Sequence, residues 1–225
     1  MGTLNQKRYI FLRQKKRSDP YRVLIVLALL VAALFLLRDV QSGAIEKPFM
    51  PTATPTRTVN SYQLEAETYF EIGDLNKAIE SYQRTIAVQP DNAQLYAELA
   101  RIQTYSSSLL TTTETRRQRL QEALDSANKA VELAPDDSTA HAVRAFVLDW
   151  NALPQLAGDQ APSLLVQAEQ EAVTAINLDP RNTLALAFYA EILVDQQKWN
   201  QAEQYILQAL ERNPNLMDVH RVHGY

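Results

Sequence analysis

Few residues in this chain could do chemistry, and their spacing narrows what that chemistry would be. His220 and His223 stand three apart, so on a helix both imidazoles share one face, as two metal ligands would. No third ligand accompanies them, and the adjacent Glu that a zinc hydrolase uses as its base is missing. They are expected to be surface or core histidines, as is the lone His141 near a predicted helix start. There is no cysteine, which removes thiolate nucleophiles, thiolate metal sites and disulfides. With 5 Gly in all, no Gly-rich phosphate loop can be assembled, and no nucleophile elbow occurs. Asp136-Asp137 is a carboxylate pair at a turn before a helical pattern, where acids favour a helix start. Arg116, Arg117 and Arg119 form the only basic cluster of the body and are expected in a solvated loop. The sequence therefore implies no enzyme, no metal and no cofactor.

The composition points to helices. Gly is scarce and Ala, Leu, Glu and Gln are plentiful, which favours helix over sheet. The 225 residues suit one domain plus appendages. The net charge of −4 conceals an asymmetry. Residues 1–22 hold Lys7, Arg8, Arg13, Lys15, Lys16, Arg17 and Arg22 against Asp19 alone, while the rest carries 15 of the 22 basic and 25 of the 26 acidic side chains. An acidic body argues against nucleic acid as a partner. A basic head beside an apolar run reads as membrane topology.

That run is Val23 to Leu37, unbroken, with Arg22 and Arg38 at its ends. Fifteen helical residues cover about 22 Å, short of a hydrocarbon core of about 30 Å. Snorkelling arginines and the interfacial Tyr21 extend it, giving a transmembrane helix over residues 20–40 that contacts the lipid bilayer. Asp19 and Pro20 read as its cap and first position. The basic residues place head 1–19 in the cytoplasm and the body outside it. A cleaved signal peptide is the alternative, with Ser42-Gly43-Ala44 as a cleavage site. The next segment, residues 41–58, holds Lys47 to Thr58 with three Pro among Thr and reads as an extended spacer.

Four similar phrases follow, each closed by Pro. Ala stands twelve residues before Pro in all four: Ala78/Pro90, Ala123/Pro135, Ala168/Pro180 and Ala202/Pro214. A small residue stands five before Pro: Thr85, Ala130, Ala175 and Ala209. Small residues let two helices approach closely, and Pro cannot continue a helix. Each helix pair has an apolar stripe that it cannot bury alone, so the pairs must stack. A large residue at any of the four leading alanines is expected to overpack the contact by about 1–3 kcal/mol.

These residues resemble the second helix of the tetratricopeptide repeat, whose pattern is 34 residues long. The first helices resemble it less closely. They carry Tyr62, Ala66, Tyr69 and Gly73-Asp74 in the first repeat, Ala100 and Ala145 in the next two, and Tyr189, Ala190, Leu193 and Trp199 in the fourth. Glu65, Arg144 and Tyr189 stand where the family usually has Leu. The expected fold is all-α: an α-solenoid of helix–turn–helix repeats over residues 59–225, preceded by a single transmembrane helix. The repeats span about 59–92, 93–137, 138–182 and 183–216, and a fifth begins at 217–225, with Gly224 at a family small position. The chain is expected to continue past Tyr225, or its end to fray.

Pro-to-Pro spacing is 45, 45 and then 34 residues, so repeats 2 and 3 each carry an insertion of 11. The insertions fall at 104–118 and 151–163, between the helices of each pair, and are expected as two lengthened loops lying side by side. Such loops are either tolerated growth or a ledge for a partner, touched by Tyr105, Leu109, Leu110 and Trp150.

The resemblance implies a concave groove lined by the first helices and filled by an extended peptide. By repeat register, the groove residues are Asn60, Gln63, Glu67, Phe70 and Glu71 in repeat 1, then Arg101 and Tyr105 in repeat 2. Phe146, Asp149 and Trp150 follow in repeat 3, and Glu191 and Asp195 in repeat 4. Aromatic and acidic groups suit a protein segment with basic and apolar residues. One family subclass grips a chaperone C-terminal carboxylate with Lys and Asn. Gln63 and Glu67 hold those positions here, which disfavours that ligand. The function expected is a membrane-anchored scaffold or adaptor in a cell-envelope assembly. The alternatives are the substrate-binding or regulatory front of a larger envelope enzyme, and a self-associating oligomer.

Overall fold

Asp19 starts the first helix by accepting a hydrogen bond from the Tyr21 amide at 3.1 Å, with Pro20 at the first helical position. A computed structural model of the chain describes residues 19–42 and 59–224. Helix α1, Pro20–Gln41, is apolar on every face, and its side chains are exposed from Tyr21 to Arg38. At 1.5 Å per residue its 22 residues extend about 33 Å. It is long and apolar enough to cross a membrane. The basic head and most of the Pro/Thr spacer lie outside the described residues.

The second unit contains the repeats. Its helix pairs are α2 (Val59–Glu71) with α3 (Leu75–Val88), and α4 (Ala93–Ser107) with α5 (Thr113–Leu133). Next come α6 (Ser138–Asn151), the short α7 (Pro154–Ala157) and α8 (Ala161–Leu178), then α9 (Thr183–Asp195) with α10 (Trp199–Arg212). A final helix, α11 (Met217–His223), stands where a fifth first helix would. Each first helix packs on its own second helix, and each second helix on the next first helix. This is a tetratricopeptide-like α-solenoid, with no strand among the described residues.

The repeated small residues make this stacking possible. Ala78, Ala123, Ala168 and Ala202 are buried at the helix contacts, as are Thr85, Ala130, Ala175 and Ala209. On the first helices Ala66, Ala100, Ala145 and Ala190 have no exposed surface. Each Pro follows its second helix by two residues, because its ring would clash with the preceding turn. Asp137 and Asn182 then cap the next helix, the Asp137 carboxylate accepting from the Ala140 amide at 2.7 Å. That is the helix-start role expected of Asp136-Asp137.

The insertions correct one expectation. They are mostly helix, not loop. In repeat 2 the extra residues lengthen α5 to 21 residues, against 14 in α3. In repeat 3 they form α7, a 3₁₀ turn at Gly158–Gln160 and the first turn of α8. Pro154 and Pro162 each stand in a first turn, where a missing N–H costs nothing. Arg116, Arg117 and Arg119 therefore lie on α5, not in a solvated loop. Arg119 donates to the Ser106 hydroxyl at 2.9 Å, and Arg117 to the Leu156 carbonyl at 3.4 Å, which ties the two inserts together.

The uninserted pairs turn tightly and alike. Gly73 and Gln197, each seventeen residues before its Pro, both take a left-handed backbone, with φ of 80° and 61°. Glycine accepts that conformation freely, whereas glutamine is strained there.

Candidate protein-binding groove

Two rows of side chains run along the first helices, because residues four apart share a helix face. One row is Glu67, Arg101, Phe146 and Glu191; the other is Glu71, Tyr105, Trp150 and Asp195. The register read from the sequence thus places residues from four separate repeats along one surface. It does not leave them all accessible, because α11 lies against the repeat 2–4 part of that surface.

The contact is made by two residues three apart on α11. Arg221 donates from both terminal nitrogens to the two carboxylate oxygens of Glu191, each at 2.5 Å. Its guanidinium lies 5.3 Å from the ring centroids of Tyr105 and Phe146 and 5.9 Å from that of Trp150. The Trp150 indole N–H donates to Glu191 Oε1 at 3.1 Å and so fixes the carboxylate. Asp218, fully buried, accepts from Arg101 at 2.6 Å and from the Tyr105 hydroxyl. Arg101 also binds Glu98 at 2.7 Å and stacks over Phe70 at 4.9 Å.

Beneath this polar layer the rings become core. Phe146 has no exposed surface and stacks on Phe188 at 4.3 Å between centroids. Arg101, Tyr105, Asp149 and Glu191 are buried as well, and Trp150 is half-buried. Of the four apolar contacts expected on a ledge, Leu109 is exposed on the surface, while Tyr105 faces Phe146 at 5.2 Å in the groove.

Burial sets the electrostatics. It pushes the Asp149 carboxyl well above the ordinary aspartate range, and the neighbouring Glu191 and Asp195 add to the effect. Asp149 lies beside Asp195 at the exposed rim, whose carboxyl is raised by burial as well, and Asp149 Oδ1 finds no protein partner. Burial also raises Glu191, against the pull of Arg221. Burial disfavours the Arg221 charge, but Glu191 outweighs it and holds the guanidinium above its usual pKa. Burial and then Asp218 raise the Tyr105 phenol, which stays a neutral donor.

The other end of the groove is open. A cavity of about 360 Å³ lies between α2, α4 and α11. Gln63, Glu67, Phe70 and Glu71 from repeat 1 line it together with Glu98 and Arg101. Phe70 is half-buried at its floor, and Glu67 and Glu71 are exposed at its mouth. The Gln63 amide donates to Glu67 at 3.0 Å. Asn60 lies on α2, but its side chain is outside the described residues.

Sequence reasoning missed Asp218 and Arg221. A signal was present: seven residues after Pro stand Ala97, Ala142 and Ala187, all buried, and in the fifth phrase Arg221 takes that place. His141 and His220 have structural partners. His141 bridges Glu171 at 2.7 Å and the Pro135 carbonyl at 2.8 Å, and His220 contacts the Pro214 carbonyl in the same register. No group of three metal-ligating side chains occurs among the described residues.

Residues 66–103 match the family model of the TPR repeat. No curated protein matches the sequence. Among solved structures, the chain is similar to a thermophilic TPR protein from Thermus thermophilus, at 21% identity and a TM-score of 0.60, covering 91% of this chain and 96% of that one. It is also similar to MamA, at 18% identity and a TM-score of 0.46, covering 75% and 82%. The first TPR of Spaghetti, solved with an HSP90 peptide, is similar at 19% identity and a TM-score of 0.44, covering 62% and 93%. The Thermus structure carries the likeness in fold.

Proposed function

Because the body of this chain is a tetratricopeptide-like α-solenoid, we propose that it is a single-pass membrane scaffold that captures a protein segment in its concave groove. One observation carries the reading. The groove holds a peptide-like occupant, α11, by an arginine between carboxylate and aromatic rings, and keeps an acidic, apolar-floored cavity open beside it. A segment with basic and apolar residues suits that cavity: its cations meet Glu67 and Glu71, and its apolar side chains meet Phe70. Helix α1 serves as the anchor. The excess of Lys and Arg before it supports a cytoplasmic N-terminus with the repeats in the cell envelope.

Two measurements test this. Fluorescent extended peptides combining Arg or Lys with Leu are titrated into the detergent-solubilised chain. Glu67→Lys with Glu71→Lys is expected to weaken binding at least tenfold, and added salt to weaken it further, because these carboxylates are exposed. Binding indifferent to both overturns the groove reading. Since the chain has no cysteine, a single Asp91→Cys substitution can be labelled by an impermeant maleimide on intact cells. Labelling only after lysis overturns the topology.

A further inference from the structure

The groove reading leaves the partner's chemistry open, and the closed half of the groove narrows it. Resting on that reading, we infer that repeats 2–4 form a guanidinium receptor, that Arg221 fills it in cis, and that a partner enters by presenting an arginine that displaces α11.

The receptor matches a guanidinium group more closely than a cation in general. Glu191 takes both terminal nitrogens of Arg221, a fork that a lysine ammonium cannot offer. Tyr105, Phe146 and Trp150 surround the same planar group. Trp150 donates to Glu191 Oε1 at 3.1 Å and orients the carboxylate toward the guanidinium. Asp195 stands beside Glu191 at the exposed rim, and the buried Asp149 Oδ1 has no protein partner.

The occupant is replaceable. Helix α11 packs chiefly on α9 and α10. It is held by Arg221, by Asp218 and by two valines, Val219 and Val222, that pack on Leu186, Ala190 and Ile206. In repeats 2–4 the position of Arg221 is a small buried alanine, and in repeat 1 it is Gln63, so stacking alone does not call for arginine there. Asp218 bridges to Arg101 and Tyr105 from one turn earlier. The displacing segment is therefore a helical turn with Asp and Arg three residues apart. It makes the same two contacts in trans.

The test uses the full chain in detergent micelles and an amidated fluorescent peptide with the sequence of residues 215–223. Arg221→Ala is expected to bind this peptide at least tenfold more tightly than the unaltered chain, because the receptor is vacated. The peptide with alanine or lysine in place of its arginine should lose at least tenfold, and adding Glu191→Gln to Arg221→Ala should do the same. Equal affinity for both chains, or indifference to the peptide's arginine, overturns the inference. Hydrogen exchange on the unaltered chain provides a measure independent of how the variant folds. Saturating peptide should speed exchange at residues 217–223, and unchanged exchange counts against displacement. A wild-type chain that is a dimer with exchanged α11 helices overturns occupancy in cis. Binding of the mixed basic peptides through Glu67 and Glu71 survives each of these failures, so loss of the receptor is distinguishable from loss of the groove.

Discussion

The two halves of the groove use the same helix positions to opposite effect. Around Phe70 the first-helix side chains leave a cavity with carboxylates at its mouth. Around Phe146 the equivalent register is roofed by α11, and its carboxylate is already neutralised by Arg221. Register along a solenoid decides which side chains face the concavity. Whether they face solvent depends on what the superhelix brings back across it.

The largest expected contrast is in folding. Phe146→Ala should destabilise the solenoid by about 3–5 kcal/mol, because it empties a site packed on both faces. Phe70→Ala should cost no more than about 2 kcal/mol. Urea unfolding followed by circular dichroism measures both, and equal costs would erase the distinction between the halves. Glu191→Gln comes next, at about 2–3 kcal/mol, since it leaves Arg221 half-paired in a buried site. Its counterpart Glu67→Gln should stay within about 0.5 kcal/mol.

Acidity separates the halves as well. Asp149 and Glu191 have folded pKa values raised above their ordinary 3.8 and 4.5. A carboxyl of this kind contributes stability that is complete below the ordinary value and lost as pH rises through the raised one. Asp149→Asn should remove much of that loss and raise the thermal midpoint at pH 8 by about 2–4 °C, with little change at pH 4. Parallel melting profiles for the two chains would show that Asp149 bears no such burden. The smallest effect concerns the turns. Gln197→Gly should stabilise by about 0.5 kcal/mol, whereas Gly73→Ala should cost about 1 kcal/mol, both read by thermal melting.

The stack was legible because each Ala-to-Pro phrase is a local rule repeated four times. Close helix approach needs a small residue, helix ending needs Pro, and neither depends on distant parts of the chain. The alignment of Glu67, Arg101, Phe146 and Glu191 on successive first helices follows from the same register. What Asp218 touches was not legible, because Arg101 lies 117 residues away and the meeting depends on the small rotation summed over three repeats. The insertions misled for a simpler reason. Thr and Ser near 104–115 suggested a loop, yet Thr112 caps α5 by accepting from the Thr115 amide at 3.2 Å. The polar residues marked a helix start.

One feature of α1 bears on where the protein can reside. Arg22 and Arg38 are sixteen residues apart, which is about 24 Å along the axis and less than a typical hydrocarbon thickness of about 30 Å. Tilting would shorten the vertical reach further. As a membrane span, α1 therefore stands nearly upright, sends both guanidinium groups outward to opposite headgroup layers, and favours thin bilayers over sterol-thickened ones.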